Sequence, residues 1–249
     1  MSLNPFILKE GAILIADAHY APWRPSFFDF LRAVDKGEIQ TSQLILMGDV
    51  FDLLFGDVDA TLSLNHEAIA LLNTLATRIE ILYLEGNHDF RLRSVFPNIQ
   101  VITRTHQPFN VSYKNQTIAL SHGDTSMGFG YELYTAFIRN RVVLKVLNQL
   151  DQWRGNFIVK RLIAMMKRKR HCNAIENFSQ LIHKRFNQYI GKKPDVMIEG
   201  HFHQNSSFEV SGMEYINLGA FACNERYYAV QSSHNKMSLE EVFLSKEPR

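Results

Sequence analysis

Runs of three to five apolar residues recur at 12–16, 44–47, 81–84, 118–120 and 196–198, each too short for a helix, and they predict five buried strands. Between the first three the period changes. Phe27, Phe28, Leu31 and Val34, and then Ala68, Leu71, Leu72 and Leu75, fall three or four positions apart and predict helices with one apolar face. Strand, helix and strand in turn are the signature of βαβ units, so the fold class read from the pattern is α/β. Residues 131–190 break the alternation. They lack proline, are rich in Leu, Ile, Val, Lys and Arg, and predict a helical insertion. Beyond it, 208–210, 214–218 and 227–230 predict strands of a closing sheet, separated by Ser211-Gly212 and Asn224-Glu225 turns. No linker divides the chain, so residues 1–249 read as one domain carrying the 131–190 insertion as a lid.

Composition adds that this is a globular chain: with 249 residues, 46% hydrophobic and 21% charged, it can bury a sizeable core, which excludes disorder, collagen and coiled coil. The formal charge of +2 conceals an asymmetry, since residues 139–193 hold 14 Lys or Arg against only Asp151 and Glu176. Such a block either meets an anionic partner, for instance phosphate or a negatively charged membrane surface, or forms a solvated helical face. The aromatic residues among the charges, Trp153, Phe157, Phe178, Phe186 and Tyr189, are too few for base stacking, so no specific nucleic-acid partner is expected. Cys172 and Cys223 lie 51 residues apart without Cys-x-x-Cys spacing. They suggest neither a disulfide nor a thiolate zinc site, and a reducing cytoplasm is the expected location. No basic leader or roughly 18-residue apolar run is present, so export and membrane insertion are not expected.

The chemistry collects after the five predicted strands, as Asp17-Ala18-His19, Gly48-Asp49-Val50-Phe51-Asp52, Gly86-Asn87-His88-Asp89, Ser121-His122-Gly123-Asp124 and Gly200-His201-Phe202-His203. Taken singly, each is ordinary turn chemistry. Together they place imidazole, carboxylate and amide donors at strand carboxyl ends, where loops of an open α/β sheet converge. Asp17 with His19, and His201 with His203, are two apart and would share a side if extended. Nitrogen and oxygen donors without thiolates suit Mn²⁺, Fe²⁺ or Zn²⁺. Seven of them suggest two ions bridged by a carboxylate, an arrangement that clamps phosphoryl oxygens and activates water near neutral pH. His66, His106, His171, His183 and His234 lie outside the motifs and read as surface or structural.

These ordered motifs, spanning residues 17–203, resemble the calcineurin-like metallophosphoesterases. The resemblance implies a four-layer sandwich of two mixed β-sheets flanked by helices, and a dinuclear site, commonly of Mn²⁺. It assigns Asp17, His19, Asp49 and His203 to one ion and Asp49, Asn87, His122 and His201 to the other, with Asp49 as the bridge. It makes His88 the catalytic histidine, and Asp52 and Asp89 groups that orient the ligands. Within the family, Gly48 to Asp52, Gly86 to Phe90, His122 to Thr125 and the basic insertion resemble the UDP-2,3-diacylglucosamine hydrolases, peripheral membrane enzymes of lipid A synthesis that release UMP and a lipid monophosphate. A lipid-linked nucleotide substrate at the inner membrane is the implied partner. Arg91 and Arg93, just past the third motif, could reach a substrate phosphate or form ordinary salt bridges. Two departures stand out: the subgroup carries arginine at the position of His88 and acidic residues within 126–130.

Overall fold

The computed structural model describes residues 6–125, 127–186 and 193–245. Its strands are β1 (Phe6–Ile7), β2 (Ile13–Ile15), β3 (Gln43–Leu46), β4 (Leu54–Phe55), β5 (Glu80–Leu84), β6 (Asp89–Phe90), β7 (Gln100–Ile102), β8 (Phe109–Tyr113), β9 (Gln116–Ser121), β10 (Val196–Glu199), β11 (Ser206–Val210), β12 (Met213–Asn217), β13 (Arg226–Ser233) and β14 (Lys236–Phe243). The helices are α1 (Ser26–Asp35), α2 (Asp59–Leu64), α3 (His66–Leu75), α4 (Phe129–Ile138), α5 (Arg141–Trp153), α6 (Phe157–Met166), α7 (Phe178–Phe186) and α8 (Phe221–Asn224). One sheet runs β14-β13-β2-β3-β5-β7 and the other β1-β8-β9-β10-β12-β11, while β4 and β6 form a small parallel pair. Both large sheets mix parallel and antiparallel neighbours.

Strand alternation builds the layers. In β3, Leu44 and Leu46 face α1 and α3, while Ile45 points to the inter-sheet core with Leu14, Leu82, Ile118, Leu120 and Ile198. On the far side of the second sheet, Ala119, Met197 and Tyr215 pack against Phe178, Ile182 and Phe186 of α7. The result is helix, sheet, sheet, helix: the four-layer α/β sandwich. Helix α1 is held by its buried stripe of Phe27, Phe30, Leu31 and Val34, three or four residues apart. Each side chain contributes about 1.5–3 kcal/mol by leaving water.

The insertion is attached differently. Leu144 of α5 and Val159 of α6 join Val58 and Phe90 in a small cluster over the β4–β6 pair. The rest of α4 to α6 turns apolar side chains outward: Phe129 and Trp153 are 85% and 82% exposed, and Leu133, Phe137, Val142 and Phe157 exceed half. Among the described residues no helix is long and apolar enough to cross a membrane.

Candidate metal centre

All five motif loops follow strands at one end of the sandwich: those after β2, β3 and β5 in one sheet, and those after β9 and β10 in the other. The donors gather in three groups, each with ligand atoms mutually within 4.8 Å: Asp17, His19 and His203; His19, Asp52 and His88, which shares His19 with the first; and, separately, Asp49, His122 and His201. His203 Nε2 lies 3.0 Å from Asp17 Oδ1. His122 Nε2 lies 3.5 Å from Asp49 Oδ1 and 3.2 Å from Asn87 Oδ1.

The expected extended geometry of the two His-bearing pairs is not what brings them together. Asp17, His19, Asp49, His201 and His203 all have positive φ, between 44° and 63°. An L-residue pays for the left-handed region, and five such residues at one crevice mark a loop cluster whose shape is imposed by the surrounding fold. Glycine permits the approach. A Cβ on Gly48 would lie 2.5 Å from His122 Nδ1, and one on Gly86 would lie 2.2 Å from Asp49 Oδ1.

Hydrogen bonds aim the donors. His122 Nδ1 donates to the Met47 carbonyl at 3.0 Å, which turns Nε2 toward Asp49. His201 N–H and His88 N–H donate to Asp17 Oδ2 and Asp49 Oδ1 at 2.9 and 2.8 Å. Asp89 accepts from the backbone N–H groups of Asp49, Val50, Phe51 and Gly86 and from the Tyr83 hydroxyl, so it braces two loops at once. Burial, together with the Asp49 charge, raises its carboxyl to about 7. Asp52 lies 3.2 Å from His19 Nδ1 and accepts from Arg24 at 3.0 Å. Burial outweighs that cation and raises Asp52 to about 6.

Several buried polar atoms here make no hydrogen bond: Asp17 Oδ1, both His19 ring nitrogens and Asp52 Oδ1. Buried polar atoms are ordinarily satisfied. Hard oxygen and imidazole donors left open around one point fit divalent cations.

Electrostatics divides the histidines. Burial lowers His19 well below its ordinary value and brings His201, beside His122, down to about 4, so both present lone pairs at neutral pH. His122 goes the other way: burial opposes its charge, but the Asp49 carboxylate carries it up to about 10. In the metal-free protein His122 therefore keeps its proton at neutral pH, and an ion bound at Nε2 would have to expel it. Affinity for the ion at this pair should rise with pH, by up to about tenfold per unit, until about 10. Titration calorimetry with Mn²⁺ near pH 8, in buffers of different ionisation enthalpy, should show release of close to one proton for that ion. Heats independent of the buffer would contradict this.

One expectation fails around the insertion and another, that His171 is surface or structural, is narrowed to a buried position. His171 is buried in this crevice: its ring centroid is 4.0 Å from that of His19, and Nε2 is 3.8 Å from Asp52 Oδ1. Cys172 and Cys223 are disulfide-bonded, their Cα atoms 5.7 Å apart, because the segment after α6 descends beside α8. Spacing along the chain carried no sign of that approach. Lys169 was also missed, and its Nζ lies 2.9 Å from His88 Nε2, while His88 Nδ1 donates to the Asp52 carbonyl at 2.8 Å. Arg91 is paired with Asp57 at 2.8 Å, and with Arg93 and Arg141 it lines a neighbouring cavity of about 300 Å³.

The family model for calcineurin-like phosphoesterases matches residues 12–205. The chain belongs to the calcineurin-like phosphoesterase family. As a member it is a metal-dependent phosphoesterase, and all five motif loops fall within the matched region. Curated relatives named UDP-2,3-diacylglucosamine hydrolase include one from Aromatoleum aromaticum, 32% identical over 118 residues, in which the match spans only about half of either protein, 46% of this chain and 47% of that one. Another, from Photorhabdus laumondii, is 28% identical over 205 residues, covering 80% of this chain and 84% of that protein. Among solved structures, the E. coli phosphoesterase Yfce aligns with 94% of this chain and 99% of its own at 14% identity and a TM-score of 0.44.

Proposed function

We propose that this phosphoesterase holds two divalent ions, Mn²⁺ being preferred over Fe²⁺ or Zn²⁺, and cleaves the pyrophosphate of UDP-2,3-diacylglucosamine to UMP and a lipid monophosphate. Asp17, His19, Asp49 and His203 would hold one ion, and Asp49, Asn87, His122 and His201 the other. When bound, the ions supply Lewis acidity toward phosphoryl oxygens and lower the pKa of nearby water. The remaining work belongs to side chains. With Nδ1–H committed to the Asp52 carbonyl, His88 offers Nε2 toward the reacting group, where Lys169 already donates to it. A phosphoryl oxygen entering between them would meet the Lys169 ammonium. Freed from Lys169, Nε2 would take up a proton from water, and the imidazolium would then hand it to the departing oxygen while Nδ1–H stays on the Asp52 carbonyl. Arg93, exposed beside the Arg91–Asp57 pair, is a further candidate contact for substrate phosphate.

The observation that carries the substrate is the insertion. Its outward apolar face, from Phe129 to Met165, is bordered by the exposed cations Arg154, Lys160, Arg161 and Lys167 to Arg170, and its end delivers Lys169 to the crevice. That surface suits acyl chains with an anionic headgroup, and docking on an anionic inner-membrane surface from the cytoplasm. UMP release from the diacylated sugar nucleotide in detergent micelles should exceed turnover of cyclic nucleotides and phosphopeptides at equal enzyme. Preference for either of the latter would redirect the assignment to another phosphoester. Trp153→Glu combined with Phe157→Glu should raise KM for the diacylated substrate about 10- to 100-fold, since each aromatic removes 1.5–3 kcal/mol of apolar contact at most. Hydrolysis of a small soluble phosphodiester should be unaffected, and a parallel loss on both substrates would argue against an acyl-binding face.

A further inference from the structure

The segment joining α6 to α7 enters the crevice at Lys169 and at His171. His171 is buried, neither ring nitrogen makes a hydrogen bond, and its ring lies against His19. Its backbone carbonyl accepts from His203 Nδ1 at 2.5 Å. That bond directs His203 Nε2 at Asp17, the position a metal-binding imidazole requires, because the partner of one ring nitrogen decides which way the other points. So two of the three donors in the Asp17, His19, His203 group are steadied by one residue of the insertion. The neighbouring Cys172 is bonded to Cys223 of α8. Apart from that bond, the segment is tied to the loop after β10 by hydrogen bonds from Ile175 N–H to Gln204 Oε1 and from Gln204 Nε2 to the Asn173 carbonyl, both exposed.

We propose that His171 is a positioning residue for His19 and His203, clamped in place by the Cys172–Cys223 bond, so that thiol redox state sets the affinity of one of the two ions. This rests on the two-ion reading above. Opening the clamp needs a two-electron reductant: the S–S bond takes up two electrons and two protons to give thiols on Cys172 and Cys223, while a dithiol closes to its own disulfide or a phosphine becomes its oxide with oxygen from water. The route is open, since Cys172 is exposed and both sulfurs border a cavity of about 250 Å³ that His203, Asn205 and Arg226 also line. With the bond broken, the His171 carbonyl is free to leave His203. The Asp49, His122 and His201 group draws nothing from this segment: His122 is oriented by Met47 and Gln107.

The prediction is site-selective. Equilibrium dialysis of the full chain against Mn²⁺, oxidised and then reduced with a phosphine, should show one ion weakened about 10- to 100-fold, the usual cost of losing a partner that orients a ligand, while the other is unchanged. Reoxidation should restore it. Cys172→Ala and Cys223→Ala should each reproduce the reduced state, and the double variant should be no worse than either alone; circular dichroism reports whether each is folded. Two ions held equally tightly before and after reduction, or both weakened together, would overturn the clamp while leaving the two-ion reading intact. An oxidised protein that binds no ion would overturn that reading and the clamp with it.

Discussion

Asp49→Ala should lower kcat/KM by about 10³-fold or more, because the bridging carboxylate is shared by both proposed ions and each ion is worth several kcal/mol at the transition state. The reasons are local. Asp49 Oδ1 accepts from the His88 N–H at 2.8 Å, faces His122 Nε2, and belongs to a loop whose backbone N–H groups are taken by Asp89. Removing the carboxylate leaves that backbone bracing in place, so the loop should keep its course. It also removes the charge that carries His122 up to about 10. Buried and unpaired, the imidazole then favours its neutral form, which folding accommodates at alkaline pH and must enforce at acidic pH. The sign follows: relative to wild type, the metal-free variant should lose stability as pH falls below about 10, where wild-type His122 takes up its proton, lose more below the ordinary histidine value of about 6.5, and approach wild type only as pH rises toward 10. Metal analysis should find fewer than two ions, and denaturant melts at pH 5.5 and 8 give the stability difference. A variant with two ions and more than a tenth of wild-type turnover would remove Asp49 from the bridge.

The five site loops were legible because their chemistry is local. A polar donor within three residues of a buried strand end is a statement about neighbours in sequence, and β2, β3, β5, β9 and β10 all form where apolar runs predict them. Strands near the sheet margins carry no such signal. In β14 exposed Glu240 and Glu241 interrupt the apolar positions, and β8 alternates without a run, so pairing with β13 and β9 decides them. The left-handed backbone at Asp17, His19 and His203 was equally hidden, since Asp and His tolerate positive φ more readily than most side chains but do not require it. Most hidden was the end of the insertion. His171 touches residues 152 positions before it and 32 after it, and Cys172 finds a partner across 51, contacts that depend on how the lid folds back over the sheets. The same holds for Leu133 and Trp153: composition announced helices over 131–190 but not that these apolar side chains would be turned outward.

His88→Ala should lower kcat about 10²- to 10⁴-fold, the usual contribution of a positioned general acid or base, without changing the number of bound ions. His88 shares a donor group with His19 and Asp52 but is assigned to neither ion, and its ring is committed elsewhere, with Nδ1–H on the Asp52 carbonyl and Nε2 against Lys169. Its loss should therefore spare the ions and fall on the chemical step. The leaving group separates its two proposed roles. Should His88 deliver a proton to the departing oxygen, the defect is largest for alkyl leaving groups of high pKa and shrinks for p-nitrophenolate, which departs without help. Should it only stabilise charge on the phosphoryl oxygens alongside Lys169, the defect is uniform across leaving groups. In that case His88→Arg recovers much of the rate, because a fixed cation replaces the function. The natural arginine at this position in the resembling hydrolases makes that substitution the informative one. Recovery by arginine together with a flat leaving-group dependence assigns charge stabilisation, and a steep dependence that arginine cannot rescue assigns proton transfer. Full activity of the alanine variant on every leaving group would take His88 out of the mechanism and leave Lys169 as the crevice's cation.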